Sequence, residues 1–138
     1  MTFEALGLHP LIQKALADIH YDKPTPVQEK AIPAAINGKD LLVSSQTGSG
    51  KTAAFMLPAL HRFASAPVEK SDRKTFNQKR QAARAKGEKV RYEPAHPKML
   101  VLTPTRELAM QIVQSSEDYS TYLKHFRTVA ILGGMPYP

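Results

Sequence analysis

Apolar residues recur at helical spacing along the first part of the chain, at Leu8, Leu11, Ile12, Ala15, Leu16 and Ile19. A side chain returns to the same helix face every three or four residues, so this pattern predicts one amphipathic helix. Pro24-Thr-Pro26 interrupts the pattern, and a second helical stretch runs from about Val27 to Ile36. Two short helices are therefore predicted before the first strand.

Three short apolar runs predict buried strands: Leu41 to Val43, Met99 to Leu102 and Thr128 to Leu132. A helical pattern follows each of the first two, from Lys51 to about Phe63 and from Thr105 onward. Strand, helix, strand, helix, strand is typical of an α/β domain in which helices flank a parallel sheet. The pattern therefore predicts an α/β fold.

The segment from residue 66 to 97 has few large apolar residues and many Lys, Arg, Gln and Ala, which is typical of an insertion between a helix and a strand. Residues 78–89 have the propensity for a transient helix but almost no apolar stripe to bury. The chain of 138 residues suits one domain. We divide it into helices at 1–37 and a domain at 38–138 that carries the insertion.

Most of the net charge of +7 lies in this insertion and its edges. Between Glu69 and Lys98 there are 10 Lys and Arg against 4 Asp and Glu, a net charge of +6, so the rest of the chain is nearly neutral. A basic segment attracts polyanions, nucleic acid first, but it is as often a solvated loop. Both interpretations stay open at this point.

The composition excludes a membrane protein. The hydrophobic share of 42% is ordinary for a globular protein. The longest apolar run, Ala53 to Leu60, is far shorter than the roughly 20 residues of a membrane span. The residues after Met1 have no basic region followed by an apolar stretch, so we expect no secretory signal. The absence of cysteine excludes disulfides and thiolate metal sites and suits a reducing compartment, so we expect a cytoplasmic protein without a membrane partner.

A loop rich in small residues follows the first predicted strand and is followed by a helical run, reading Ser45-Gln-Thr-Gly-Ser-Gly-Lys51-Thr52. Small residues allow backbone N–H groups to surround phosphate oxygens, and the helix N-terminus adds its dipole. Lys51 can reach the β- and γ-phosphates of a nucleotide, and Thr52 can offer its hydroxyl to Mg²⁺. The strict pattern has glycine at the first position, where this chain has Ser45, so the flanking strand and helix support the interpretation.

Gln28 lies 23 residues before Lys51 in the run Pro24-Thr-Pro-Val-Gln28. By itself this run is typical of a helix that begins with proline and exposes its glutamine. Beside a phosphate-binding loop, the glutamine amide also suits the donor and acceptor groups of adenine, because it carries both. Tyr21 could stack on the base.

Two further groups of residues follow predicted strands. Pro104-Thr-Arg-Glu107 comes after the second strand, at the end where open α/β sheets place their ligands. Arg106 could be a plain surface cation, but a cation near a helix N-terminus opposes the dipole, so a phosphate partner explains it better. Gly133 and Gly134 follow the third strand, where they make either a tight turn or a close backbone approach to another phosphate chain.

These motifs together resemble those of the DEAD-box RNA helicases. Phe3, Tyr21 and Pro24 to Gln28 are similar to the family's Q motif, and Ser44 to Thr52 is similar to motif I. Pro104 to Ala109 is similar to motif Ia, and the glycine doublet also occurs in the family. All four stand in family order and span nearly the whole chain, which makes the resemblance specific.

The resemblance implies an ATP-dependent RNA helicase with a RecA-like P-loop domain. It implies a site for ATP and Mg²⁺ made of Tyr21, Lys23, Gln28, Ser45, Gln46, Thr47, Gly48, Ser49, Gly50, Lys51 and Thr52. Within it, Lys51 and Thr52 have the catalytic role of holding phosphates and Mg²⁺. It also implies that the RNA backbone is held by Pro104, Thr105, Arg106, Glu107, Gly133 and Gly134.

The chain departs from the family in three ways. Ser45 stands where the family usually has alanine, and His20 where it usually has glycine. Neither the Asp-Glu-Ala-Asp motif nor Ser-Ala-Thr occurs in the 138 residues, and no second RecA-like domain with its arginine fingers is present. Hydrolysis in P-loop enzymes needs such groups, so we expect an incomplete domain that binds ATP but scarcely hydrolyses it.

Two other classes of function stay open on the sequence. One is a P-loop domain that acts on something other than RNA, such as a DNA helicase or a transporter ATPase, against which Pro104 to Ala109 argues. The other is a truncated product that binds nucleotide or RNA and is not an enzyme. It shares every motif with the helicase, so the residues do not separate the two.

Overall fold

The computed structural model describes residues 2–48, 50–67, 71–89, 96–134 and 136, with the backbone alone described for 71–76. A 3₁₀ turn at Glu4–Leu6 precedes five α-helices. These are α1 (Pro10–Asp18), α2 (Pro26–Ile36), α3 (Lys51–Ser65), α4 (Ser71–Ala85) and α5 (Arg106–Tyr119). The four helices predicted from residues 8, 27, 51 and 105 onward are thus confirmed, with small changes at their ends. Among the described residues, no helix is long and apolar enough to cross a membrane.

Local sequence explains where the helices begin. At α2 the Thr25 side chain accepts from the backbone N–H of Gln28, and the Gln28 side chain accepts from the backbone N–H of Thr25. This reciprocal capping box satisfies two N–H groups that have no partner inside the helix. The Thr105 side chain caps α5 in a similar way. Proline occupies the first helical position of α1 and α2, where its missing N–H costs nothing.

Helix α3 lies at the centre of the core and packs against α1, α2 and α5. The largest fully buried apolar side chains among the described residues come from three helices and are Ile12, Leu16, Ile32, Leu57 and Leu60. Removing one such side chain from water contributes about 1.5–3 kcal/mol. The helix that follows the glycine-rich loop is therefore held on several sides, which fixes the direction of its N-terminus.

The predicted parallel sheet is not observed among the described residues. Residues 41–43, 99–102 and 128–132 carry neither strand nor helix. Several of their apolar side chains are exposed, namely Leu42, Leu100, Leu102, Val129 and Ile131. A strand needs a neighbour to accept and donate its backbone hydrogen bonds. No such ladder joins these three segments in the described part of the chain, so the sheet stays a prediction.

The chain separates into two compact units. One comprises Met1–Ser65 with Met99–Pro138, and the other is Ala66–Lys98. The second unit contains α4, whose side chains from Asn77 to Ala85 are exposed except for the half-buried Ala83. Where the sequence predicted a transient helix over 78–89, the structure has a helix that begins earlier, at Ser71, and ends at Ala85. Its residues favour a helix by propensity, since its exposed side chains gain little from burial.

Candidate functional site

The glycine-rich loop, residues 45–50, connects the first apolar segment to the N-terminus of α3. Gly48 has a φ of 82° and Gly50 a φ of 86°, in the left-handed region that side chains rarely adopt. Gln46, Thr47 and Gly48 are exposed, while Ser45 and Gly50 are half-buried. Ser49 lies outside the described residues. The described part of the loop is therefore exposed or half-buried and has glycine at both positions where φ is positive.

Lys51 is the first residue of α3, and its side chain folds back over the loop. Its Nζ donates to the backbone carbonyl oxygen of Ser45 at 2.5 Å. The ammonium group thus lies where the loop meets the positive end of the helix dipole, next to a neutral acceptor. An anion gains more from this charge than a carbonyl does, so phosphate oxygens can replace Ser45 as its partner. Thr52, in the first turn of α3, is half-buried.

Gln28 connects α2 to this loop. Its side chain is completely buried, which corrects the alternative that pictured an exposed glutamine on a plain helix start. The Nε2 group donates to the Tyr21 hydroxyl at 2.6 Å and to the Gly50 carbonyl at 3.1 Å. The Oε1 atom accepts from the backbone N–H of Thr25 at 3.0 Å. Both amide hydrogens are therefore used inside the protein, and contacts with the described residues leave one lone pair of Oε1.

Gly50 is the point where the loop meets both helices. Its carbonyl oxygen accepts from the backbone N–H of Ala54, at 3.1 Å, in the first turn of α3. The same oxygen accepts from Gln28. A Cβ atom at position 50 would lie 2.2 Å from the Gln28 Nε2 and 3.1 Å from the Thr25 Oγ1. Only glycine allows α2 to approach the loop this closely.

Tyr21 contributes the hydroxyl that accepts from Gln28, and its aromatic ring lies beside this contact. The ring packs on Phe3 with 5.3 Å between centroids and 41° between planes. Burial is the main cause that raises the pKa of the Tyr119 hydroxyl, and the nearby Tyr21 raises this pKa further. A cavity of about 250 Å³ adjoins the ring and is lined by Thr2, Phe3, Glu4, Gln13, Leu16, Ala17, Tyr21 and Asp22. Neither Gln28 nor Lys51 lines this cavity, so it is separate from the loop. Lys23 is exposed nearby in the chain, between α1 and α2.

The residues predicted to contact RNA lie on exposed backbone of the first unit. Pro104, Thr105, Arg106 and Glu107 are all exposed at the start of α5. The Thr105 Oγ1 accepts from the backbone N–H of Leu108 at 3.2 Å, which orients this helix start. Gly133 and Gly134 form an exposed turn, and no atom of the described residues lies within 4 Å of a Cβ placed on either. Another backbone can therefore approach the turn closely.

Several contacts around these residues were not predicted. The Ser116 and Thr128 hydroxyls share a hydrogen bond of 2.7 Å that ties α5 to the segment before Gly133. The Tyr122 hydroxyl donates to the Asp18 carboxylate, and the Lys14 Nζ lies 4.4 Å from the centre of the same ring. Such long-range pairs leave no trace in sequence spacing. The capping box was not predicted either, although Thr25 followed three residues later by Gln28 is a recognisable signature.

A glycine-rich loop that leads into a buried helix is the arrangement of a P-loop nucleotide-binding domain. A solved structure of that class has a similar fold: the RNA-helicase Prp28 from Chaetomium thermophilum, bound to ADP, superposes with a TM-score of 0.70. That likeness has 34% sequence identity and covers 95% of this chain and 26% of the other. The neighbour's domain is RecA-like, and this chain has the corresponding helical scaffold.

The family model of the DEAD/DEAH box helicases matches residues 25–138, and the chain belongs to that family. It is 38% identical to the ATP-dependent RNA helicase DeaD of Haemophilus influenzae over 99% of its own length. It is 39% identical to the DeaD protein of Escherichia coli, also over 99%, and to SrmB of H. influenzae over 98%. The chain spans only 17% to 25% of the length of these relatives.

Proposed function

We propose that this chain is the ATP-binding and RNA-contacting N-terminal part of an ATP-dependent RNA helicase, which couples ATP hydrolysis to unwinding or remodelling of RNA duplexes. The single observation that carries the proposal is the buried Gln28 amide, which joins α2 to Gly50 of the phosphate-binding loop. Membership of the family and the names of the relatives support it. The absence of cysteine supports a cytoplasmic location.

In this proposal, phosphate oxygens replace a hydrogen-bond partner that Lys51 already has within the loop. Lys51 releases the Ser45 carbonyl and turns its ammonium group to the β- and γ-phosphates. Backbone N–H groups of residues 45–50 and the N-terminus of α3 surround the same oxygens. Thr52 offers its hydroxyl to the Mg²⁺ that accompanies ATP. Because Lys51 and Thr52 start a helix held in the core, little of the binding free energy is spent on ordering them.

Adenine recognition also requires an exchange, because both hydrogens of the Gln28 Nε2 are in use. The base takes the place of one of these acceptors, and the remaining lone pair of Oε1 accepts from the adenine amino group. Guanine has a carbonyl oxygen where adenine has its amino group, so it offers no donor to the remaining lone pair of Oε1 and places two acceptor oxygens side by side. The Tyr21 ring stacks on the base, and Lys23 lies at the edge of the site.

In this proposal, the residues at the start of α5 and the glycine doublet contact RNA. Pro104, Thr105 and Glu107 shape the start of α5, and Arg106 supplies charge for the phosphates. Gly133 and Gly134 allow the RNA backbone to come close to the chain. Hydrolysis and strand separation belong to the whole helicase in this proposal, with the Asp-Glu-Ala-Asp motif and a second RecA-like domain supplied from beyond these 138 residues.

We further propose that residues 41–43, 99–102 and 128–132 are strands of a parallel RecA-like sheet. Their apolar composition supports this, as does the position of the functional residues directly after each segment. Exposed Leu42, Leu100 and Leu102 are the side chains that such a sheet would cover with neighbouring strands and helices.

Calorimetric titration with ATP and GTP tests the nucleotide site. We expect ATP to bind more tightly by about 1–3 kcal/mol, since the wrong base leaves the buried amide unpaired. Gln28→Ala should reduce this preference, and Gln114→Ala, which changes an exposed glutamine of α5, should preserve it. The ratio of the two affinities is the useful quantity, because a partly unfolded variant loses both in proportion. Equal affinities for ATP and GTP in the unaltered protein would contradict the role of Gln28.

A further inference from the structure

Helix α4 has exposed basic side chains that packing does not explain. Its unit, Ala66–Lys98, contains 10 Lys and Arg against 4 Asp and Glu, whereas the rest of the chain is nearly neutral. From Asn77 to Ala85, every side chain except Ala83 is exposed. A solvated segment needs charge for solubility, but it does not need most of the charge of the protein in one place.

Two arginines share one face of this helix. Arg80 and Arg84 are four residues apart, and Asn77 lies on the same face one turn earlier. A rise of about 1.5 Å per residue separates the two arginines by about 6 Å along the axis. Each guanidinium group has five N–H donors in a planar fork that matches the oxygens of a phosphate. Together they can contact two phosphates along one strand.

We propose that this face of α4 is an accessory contact for the phosphate backbone of RNA, in addition to the residues at the start of α5 and the glycine doublet. The inference rests on the proposed function, because that function makes RNA the polyanion that the protein handles. It adds a surface that the shared motifs do not include.

The chemistry of the helix favours RNA over a protein or a membrane as the partner. From Ser71 to Lys89 the apolar side chains are alanines and a single aromatic residue, Phe76. A protein interface needs larger apolar or aromatic anchors at its centre, and a helix that lies on a membrane needs an apolar face to insert. Phosphates require only charge and hydrogen-bond donors. Such contacts position RNA without reading its sequence.

Salt dependence distinguishes this contact from a solvated helix. Each phosphate that a cation neutralises releases counterions, so the log–log slope of affinity for single-stranded RNA against salt changes by about 0.7 per contact. The experiment measures fluorescence anisotropy of a labelled oligouridine with the full chain at several KCl concentrations. The test variant is Arg80→Gln with Arg84→Gln, which keeps helix propensity. The matched control is Lys39→Gln with Lys124→Gln, which removes two exposed charges from the other unit.

We expect the arginine variant to have a slope shallower by about 1.4, and the control to keep nearly the original slope. ATP affinity, measured by calorimetry, should be the same in all three proteins. Equal slopes for the variant and the control would overturn the proposal, and so would failure of the unaltered protein to bind RNA. Arg106→Gln separates the two proposals. If it leaves RNA affinity unchanged while the α4 variant weakens it, the proposed contact at α5 fails and the one on α4 stands.

Discussion

Gln28 is a buried residue whose contacts join several parts of the fold. Its amide closes the capping box of α2, and it also holds the Tyr21 hydroxyl and the Gly50 carbonyl. A buried amide without partners would cost about 1–3 kcal/mol, so its contacts are needed for stability before any ligand arrives. Under the proposed function, a base that replaces one of these partners would keep the amide satisfied, and this exchange is the basis of the proposed selectivity.

Replacement of Gly50 tests this close approach. Gly50→Ala should lower the free energy of unfolding by more than Gly48→Ala, by about 1 kcal/mol or more, because the new methyl group displaces Gln28 and breaks buried hydrogen bonds. Both glycines have positive φ, but a Cβ at position 48 meets no atom within 4 Å in the part of the chain that the structure describes. Subtracting the stability loss of Gly48→Ala from that of Gly50→Ala therefore cancels the backbone strain that both variants share. Chemical denaturation measures it, and equal losses would show that Gln28 has room to move.

The environment of His61 predicts how the stability of the protein depends on pH. Burial, and then nearby His9, lower the pKa of His61 below its ordinary value of 6.5. Its Nδ1 atom is buried and has no hydrogen-bond partner among the described residues. The unfolded chain therefore takes up a proton at higher pH than the folded protein does. The stability that His61 contributes is present above pH 6.5. It is lost as the pH falls from 6.5 toward the lower pKa of His61 in the folded protein.

Denaturation at about pH 7.5 and about pH 5.5 checks this sign. The unaltered protein should lose more stability on acidification than His61→Gln does. His125→Gln, a change at an exposed histidine, serves as the matched control and should behave like the unaltered protein. The prediction is wrong if His61→Gln shows the larger loss.

At the scale of elements, short polar side chains determine where helices begin. Thr105 caps α5, and its side chain orients the turn from which Arg106 and Glu107 project. Thr105→Ala should destabilise the protein by about 1 kcal/mol, because the N–H of Leu108 loses its acceptor. Thr105→Ser keeps the hydroxyl and should restore most of this. Thermal unfolding distinguishes the three proteins, and a serine variant as unstable as the alanine variant would assign the effect to packing of the threonine methyl group.

At the scale of the whole molecule, well-packed helices lie beside apolar segments that have no backbone hydrogen-bond ladder among the described residues. In a protein of these 138 residues, we expect amides of residues 41–43 and 99–102 to exchange with solvent much faster than those in the middle of α3. In a longer protein that supplies neighbouring strands, the same amides should become protected. Hydrogen exchange with mass spectrometry measures both. Fast exchange in the longer protein as well would reject the proposed sheet.

Much of the helical scaffold could be predicted from the sequence, because the causes are local. The apolar spacing around Ile12 and Leu16 predicted α1, and the run from Lys51 onward predicted the helix at the glycine-rich loop. Strand prediction used equally local signals at 41–43 and 128–132, but strands form only when another segment lies alongside. Local composition indicates that a segment favours a strand without supplying its neighbour.

The motifs from Gln28 to Gly134 determined, by sequence alone, the family and the residues proposed to bind ATP and RNA, since each motif is short and its spacing carries the chemistry. Tertiary structure decided what those residues contact. It buried Gln28, directed its Nε2 to Tyr21 and Gly50, and turned Lys51 onto the Ser45 carbonyl. It also paired Ser116 with Thr128. These outcomes depend on how α1, α2, α3 and α5 pack around one core, which brings together atoms that are distant along the chain.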